Sequence, residues 1–173
     1  MRLITCSSLF NSKPSHRAQM DVFYYWKNYD EDMKAGRIGW LKSERQKLGE
    51  LRDRNPDLIW AFKTPSGCKG QLQLVARLAW SDTPKVALPK LDAASVIHYD
   101  PADTRTSFFG LADAHASVES LTQQLRGQFP AAFRANFQGD NGIQVMDGDF
   151  LRRFLKTVSP FIAGADSLPP LAT

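Results

Sequence analysis

Hydrophobic and polar residues alternate with period two at several places in the first 110 residues. Residues 22–26 (VFYYW) form a run of strand-favouring side chains. Residues 57–64 (DLIWAFKT) and 71–80 (QLQLVARLAW) alternate and are separated by the turn sequence PSGCKG, which predicts an antiparallel hairpin. The pattern places five apolar side chains on one face of its second strand: Leu72, Leu74, Ala76, Leu78 and Trp80.

Shorter runs predict further strands at residues 2–8, 95–100 and 142–146, and RTSFFGL (105–111) is another candidate. Residues 28–42 contain Gly36 and Gly39, so this stretch is predicted to be rich in turns.

Helical periodicity appears around residue 50 and then in the second half of the chain. Residues 43–54 are predicted to form a helix that Ser43 caps, with Gln46 three residues further on. Helices are also predicted from Ser117, over residues 130–137, and over residues 147–158, where Asp147 can act as the cap.

Strands therefore dominate the first 110 residues and helices the rest, which predicts an α+β fold. We expect a small, curved, antiparallel, barrel-like sheet with helices packed at its sides and a helical C-terminal part. Residues 1–165 are predicted to form a single domain, a size typical of one folding unit. Residues 166–173 are predicted to be a flexible tail.

The charge is unevenly distributed along the chain. Residues 1–90 contain 16 Lys and Arg against 9 Asp and Glu, whereas residues 91–173 contain 6 against 9. All four tryptophans also fall in the first 90 residues. A basic half favours a polyanionic partner, of which nucleic acid is the commonest. A solvated lysine-rich surface accounts for the charge equally well.

The two cysteines, Cys6 and Cys68, match no metal-binding spacing and are too few for a disulfide scaffold. We expect free thiols in a reducing compartment. No segment is apolar enough to suggest a transmembrane helix, and the hydrophobic run near the start is too short for a signal peptide. The expected location is cytoplasmic, without membrane contact.

No catalytic or metal-binding motif stands out in the sequence. The three histidines lack metal-ligand spacing, and His98 in the run VIHYD is most simply a structural residue. The segment SGCKG precedes a strand, so it is a hairpin turn and not a phosphate-binding loop. A weak nuclease-like pattern, Asp21 with Asp32-Met33-Lys34, falls on a predicted turn. No metal or other cofactor is predicted.

Four short motifs in residues 20–80 resemble the EVE-type branch of the PUA-like superfamily, especially the domains found in front of HNH nucleases. They are YWKN (25–28), GWLK (39–42), DLIW (57–60) and GQLQLVAR (70–77). The resemblance implies a small curved barrel, with a pocket between the barrel mouth and the helices. In that superfamily the pocket takes a base, often a modified one, that has been turned out of its stack.

The resemblance also implies roles for individual residues. The base pocket would be formed by Trp26, Trp40, Trp60, Tyr25 and Asn28, whose amide can both donate and accept hydrogen bonds. Phosphate contacts would come from Lys27, Lys42, Arg45 and Lys47. Trp80, at the end of an apolar strand face, is assigned to the core.

The leading hypothesis is a non-catalytic domain that binds DNA or RNA, including a modified base, through an aromatic pocket. A separate nuclease or other effector chain is a possible partner. A protein–protein interaction module is the alternative, because Trp, Tyr and Arg are also enriched at protein interfaces. The third hypothesis is an enzyme with a site that the sequence does not display.

Overall fold

A computed structural model describes residues 18–43, 47–88, 95–110 and 118–162, and its fold is α+β as predicted. The strands are β1 Met20–Tyr25, β2 Trp40–Lys42, β3 Leu58–Lys63, β4 Gln73–Ser81, β5 Val96–Asp100, β6 Ser107–Phe108 and β7 Ile143–Asp147. The helices are α1 Tyr29–Lys34, α2 Leu48–Arg54, α3 Val118–Gln128, α4 Pro130–Arg134 and α5 Gly148–Ile162, with a 3₁₀ turn at Gly139–Gly142. The predicted strand at 2–8 and the predicted tail at 166–173 lie outside the described residues.

The seven strands form one mixed sheet in the order β2-β5-β4-β3-β1-β7, and β6 pairs with β4. The expectation of a wholly antiparallel sheet is wrong, because β1 and β3 pair in parallel, with Val22 opposite Ile59 and Tyr25 opposite Phe62. Between these strands the chain passes through α1, β2 and α2, and such a crossover returns it in its original direction. The predicted hairpin of β3 and β4 is confirmed.

The sheet is strongly curved but is not closed into a barrel. The Tyr24 hydroxyl of β1 donates a hydrogen bond to the Lys42 carbonyl of β2 at 2.9 Å. Three strands separate β1 from β2 in the sheet order, so only a curled sheet can bring the two residues together. No ladder joins β2 to β7 among the described residues. Leu48 and Leu51 of α2 are buried in the concave side.

The two faces of the sheet contribute to separate hydrophobic clusters. The concave face carries the inner core, which includes Val22, Tyr24, Trp26, Ile59 and Tyr99 together with α2. The convex face carries the outer core, in which side chains of β1 and β3 pack against α3, α4 and α5; its members include Phe23, Trp60, Phe62, Leu121, Ala132 and Phe154. The three C-terminal helices therefore cover the convex face of the sheet, which takes no part in the inner core.

A β-bulge divides β4 between the two cores. Ala61 pairs with Ala76, but the next residue, Phe62, pairs with Leu74, so Val75 is the extra residue. Leu72 and Leu74 belong to the outer core, whereas Ala76 and Leu78 belong to the inner core. The prediction that these side chains share one face is therefore wrong, because the bulge reverses the alternation.

Three local predictions also need correction. The predicted turn at 28–42 contains α1 and β2, whose Trp40 and Lys42 pair with β5. The predicted helix at 43–54 is observed from Leu48, and its N-cap residue is Lys47 instead of Ser43. The helix predicted over 130–137 ends at Arg134.

Two smaller observations concern the membrane and thiol predictions. Within the described ranges, no helix has the length and apolar character needed to cross a membrane. Cys68, in the β3–β4 connection, is a free thiol and is half-buried.

Candidate functional site

Two of the predicted pocket tryptophans are enclosed in the protein. Trp60 is 0% exposed, stacks edge-on against Phe154, and donates its indole N–H to Asp21 Oδ2 at 2.8 Å. Trp26 is 2% exposed and donates its indole N–H to Asp32 Oδ2 at 2.7 Å. A ring without an exposed face offers no surface on which a base can stack. The candidate pocket described below therefore contains neither of them.

The other predicted pocket residues lie at the surface but are dispersed. Trp40 is half-buried on β2, directly opposite His98 of β5. Asn28 is exposed immediately before α1, and its side chain makes no capping hydrogen bond. Trp80, which was assigned to the core, is half-buried and donates its indole N–H to Asp82 Oδ1 at 2.9 Å.

Three of the four predicted phosphate contacts lie within the described residues. Lys27 is exposed at the end of β1, and Lys42 is exposed on β2. Lys47 lies in a groove between α2 and β7, where its backbone N–H donates a hydrogen bond to Asp140 Oδ1 at 3.4 Å. Arg45 lies outside the described residues. The three described lysines therefore lie on or beside three different elements, β1, β2 and α2.

Tyr25 and Lys27 do converge on one cleft. This cleft, which we call the Tyr25 cleft, has a volume of about 390 Å³ and is also lined by Asn136, Phe137 and Gln138. Small-molecule sites occupy roughly 300–1,000 Å³, so the cleft is large enough for a single base. Two of the predicted site residues thus line one concave surface.

The Tyr25 ring is held in place from two sides. It stacks on Phe137 at a centroid distance of 4.6 Å with an interplanar angle of 20°. Its hydroxyl lies 3.0 Å from the Thr64 hydroxyl. Phe137 is 4% exposed, so it supports the tyrosine from behind while the half-buried Tyr25 faces the cleft. The aromatic wall is therefore formed before any ligand arrives.

A left-handed backbone segment contributes the other described residues of the cleft lining. Asn136 and Phe137 have φ values of 49° and 58°, a region that non-glycine residues rarely adopt. This conformation ends α4 and turns the Asn136 and Gln138 side chains to the surface beside the cleft. Asparagine tolerates the conformation better than most residues, but for a bulky phenylalanine it is strained.

Lys27 supplies positive charge at the cleft. Its side chain is exposed and makes no hydrogen bond or ion pair with any described residue. Nearby Lys63 differs, because its ammonium group binds Asp30 at 2.7 Å and lies 5.2 Å from the Tyr29 ring centroid. Lys27 is therefore available to an anionic partner, whereas Lys63 supports the surrounding structure.

The acidic residues of the weak nuclease-like pattern lie at different ends of β1. Burial raises the pKa of Asp21 to about 6, although the Trp60 hydrogen bond opposes this shift. Asp21 lies near the start of β1, whereas Asp32 follows the end of that strand in α1, so the weak nuclease-like pattern is not assembled. The described residues contain no cluster of His, Cys, Asp and Glu suited to a metal ion.

The sequence did not indicate three residues that line the Tyr25 cleft, namely Asn136, Phe137 and Gln138. Their segment, PAAFRANF followed by QGD, has helical character up to Phe137. The only local sign that the helix ends earlier is Asn136, because asparagine often adopts a left-handed backbone conformation at the end of a helix. Gly139 follows three residues later.

A comparison of the chain with protein-family models, with characterised proteins and with solved structures gives no match.

Proposed function

We propose that this protein is a non-catalytic nucleic-acid-binding domain that takes a base turned out of its stack, including a modified base, into the Tyr25 cleft. The observation that carries the proposal is the convergence of Tyr25 and Lys27 on that cleft. A stacking ring and an unpaired cation are the two groups that binding of a single-stranded segment requires.

Stacking would supply much of the affinity. A flipped base loses a few kcal/mol of stacking and pairing, which the protein must replace. One base on an aromatic side chain recovers about 1–3 kcal/mol. Because Phe137 already holds the Tyr25 ring, little conformational freedom is lost on binding.

The polar residues of the cleft suit recognition of a base edge. The Asn136 and Gln138 amides each provide a donor and an acceptor, as a Watson–Crick edge requires. Lys27 would contact the neighbouring phosphate, which makes binding salt-dependent. In this arrangement the ring gives affinity, the amides give base preference and the lysine positions the backbone.

We propose a PUA-like fold of the EVE type as the framework of this site. The curved sheet and the position of the YWKN motif at the end of β1, beside the cleft, support this assignment. The domain would act as the reader in a larger system, with any cutting done by a separate nuclease or other effector chain. The expected location is the cytoplasm.

The proposal can be tested by fluorescence polarisation with labelled single- and double-stranded DNA and RNA, plain and carrying modified bases. Measurements at about 50 and 200 mM salt would reveal the contribution of phosphate contacts. We expect salt-sensitive binding that favours one base and weakens about tenfold in Tyr25→Ala. Urea unfolding of the variant would show that it is folded.

Lys85→Gln is the matched control for Lys27→Gln, because Lys85 is also exposed but follows the distant end of β4. We expect only Lys27→Gln to weaken binding. Absence of binding to all nucleic acids at low salt would overturn the proposal. A stable oligomer seen without nucleic acid would then favour the protein-interaction alternative.

A further inference from the structure

Arg126 of α3 contacts two parts of the structure that each lead to Tyr25. Its guanidinium group lies over the Phe133 ring of α4, 5.1 Å from the ring centroid. Its Nη2 atom also donates a hydrogen bond of 2.8 Å to the carbonyl of Gly70, in the connection between β3 and β4. The two contacts reach Tyr25 by separate routes.

The first route is a row of three aromatic rings. Phe133 packs edge-on against Phe137, with a centroid distance of 4.9 Å and an interplanar angle of 69°. Phe137 in turn stacks on Tyr25 at 4.6 Å. A guanidinium over a ring face is attracted by the quadrupole of the ring. Arg126 therefore holds the end of the row that is furthest from Tyr25.

The second route is the β3–β4 connection. Thr64, directly after β3, has its hydroxyl 3.0 Å from the Tyr25 hydroxyl. Two backbone hydrogen bonds of 3.0 Å close turns within residues 65–71. Gly70, which accepts the hydrogen bond from Arg126, belongs to these turns. Arg126 therefore also holds the connection that carries the hydroxyl partner of Tyr25.

The chemistry of arginine suits both contacts at once. Arg126 is exposed, and it forms no ion pair with a described residue. Its charge is therefore not used to neutralise a carboxylate. A planar guanidinium can stack on a ring through its face and donate hydrogen bonds from its edge, whereas a lysine ammonium is a compact point charge.

We propose that Arg126 is a positioning residue of the Tyr25 cleft, which keeps the Tyr25 ring in the orientation that stacks on a base. It does so by fixing Phe133 on one route and the β3–β4 connection on the other. The inference rests on the proposed function, because it assigns Arg126 a role in the same cleft. Arg126 acts through Tyr25, so it raises affinity by reducing the conformational freedom that is lost on binding.

The first test measures the Tyr25 ring without any ligand. Because this ring lies at 20° to Phe137, the ring current of Phe137 should displace its proton NMR signals from those of an isolated tyrosine. In protein labelled at tyrosine, Tyr25→Phe identifies these signals by their loss. We expect Arg126→Ala to move them toward the values of an isolated tyrosine. Unchanged Tyr25 signals in Arg126→Ala would overturn the proposal.

Arg153→Ala is the matched control for the change of charge. Arg153 is also an exposed helical arginine, on α5, and its side chain makes no hydrogen bond or ion pair with a described residue. We expect it to leave the Tyr25 signals unchanged. Should Arg126→Ala fail to fold in urea-unfolding measurements, Arg126→Lys takes its place, because it keeps the charge but loses the planar group.

The second test measures binding of labelled single-stranded DNA and RNA by polarisation at several salt concentrations. We expect Arg126→Ala to weaken binding about fivefold, less than Tyr25→Ala does, because the ring remains but is less fixed. The slope of log affinity against log salt should stay the same. A slope lowered by about 0.9 would show that Arg126 contacts a phosphate directly, which would overturn the proposal.

A double-mutant cycle separates the two roles further. When Tyr25→Ala is already present, Arg126→Ala should weaken binding no further, since no ring is left to position. Additive losses would overturn the proposal. If the unmodified protein binds none of the oligonucleotides, the proposed function fails, and the Tyr25 NMR signals still decide whether Arg126 positions the ring.

Discussion

Phe23 and Tyr25 lie two residues apart on the same face of β1, yet they belong to different regions of the molecule. Phe23 is 1% exposed in the sealed part of the outer core, where it stacks on Phe62 at 5.2 Å. Tyr25 is half-buried and faces the Tyr25 cleft, where its ring stacks on Phe137. Contacts with the C-terminal segment therefore determine that Phe23 is buried in the core and that Tyr25 remains accessible to a ligand.

The polar partners of the rings differ in the same way. In the sealed region, the indole of Trp60 is bonded to the buried carboxylate of Asp21. At the cleft, Lys27 is exposed and unpaired among the described residues. We therefore expect the sealed region to respond to changes in side-chain volume and pH, and the cleft to respond to salt and nucleic acid.

The largest expected effect is on the stability of the sealed region. Trp60→Ala should lower the free energy of unfolding by about 3–5 kcal/mol, because it leaves a cavity in the outer core. It also removes the hydrogen-bond donor of Asp21. Urea denaturation would measure the change. Trp80→Ala, a substitution of a half-buried tryptophan, is the control and should cost clearly less.

A smaller effect should appear in the pH dependence of stability. Because the pKa of Asp21 is raised from 3.8 to about 6, the folded state favours the protonated carboxyl. This contribution is fully present below pH 3.8 and is lost as the pH rises through about 6. Between pH 4.5 and 7.5 it should remove about 2 kcal/mol of stability.

Asp21→Asn should abolish that part of the pH dependence, since the amide does not ionise. Urea denaturation of both proteins at pH 4.5 and 7.5 would measure the difference. Identical pH profiles for the two proteins would show that Asp21 keeps an ordinary pKa despite its burial.

A change at the cleft should affect binding without affecting the fold. Lys27→Gln should reduce the slope of log affinity against log salt by about 0.9, as expected for one lost phosphate contact. Its free energy of unfolding should stay within about 0.5 kcal/mol of the original, because Lys27 contacts no charged partner in the described structure. Polarisation titrations over several salt concentrations would measure the slope.

The smallest expected effect on nucleic-acid binding comes from Tyr25→Phe, which removes the hydroxyl and keeps the ring. Tyr25→Phe removes the hydrogen bond to Thr64 and should cost about 1 kcal/mol of stability. The stack on Phe137 is kept, so affinity for nucleic acid should hardly change. A large loss of affinity in polarisation titrations would show that the hydroxyl, and not the ring face, contacts the ligand.

Much of the fold follows from local patterns in the sequence. The β3–β4 hairpin, β5, β7 and the two long C-terminal helices were predicted because their periodicity is strong over several residues. Helix α1 was not predicted, because half of its six residues are acidic and only Tyr29 and Met33 pack against the inner core, which is too few to define a helical period. The bond from Trp26 to Asp32 ties α1 to the end of β1, a contact that local propensity does not include.

The candidate site could be predicted only in part. The resemblance indicated Tyr25 and Lys27, but it also selected Trp60, because a short motif does not show what covers a ring in the folded protein. The left-handed backbone at Phe137 and the placement of Arg126 depend on contacts between residues distant along the chain. Such contacts leave no periodic signal.

The antiparallel pairing of Met20 with Asp147 joins the first and last described strands. Until the ribosome has synthesised β7, one edge of β1 lacks its hydrogen-bonded neighbour. The side chains of β1 are almost all buried in the final structure. At about 5–20 residues per second, a ribosome needs roughly 10 s to synthesise the stretch between them. During that time a nascent chain displays an apolar strand edge, the kind of surface that promotes aggregation. The C-terminal half therefore covers this edge of the N-terminal half only once synthesis has passed β7, and it shapes the clefts afterwards.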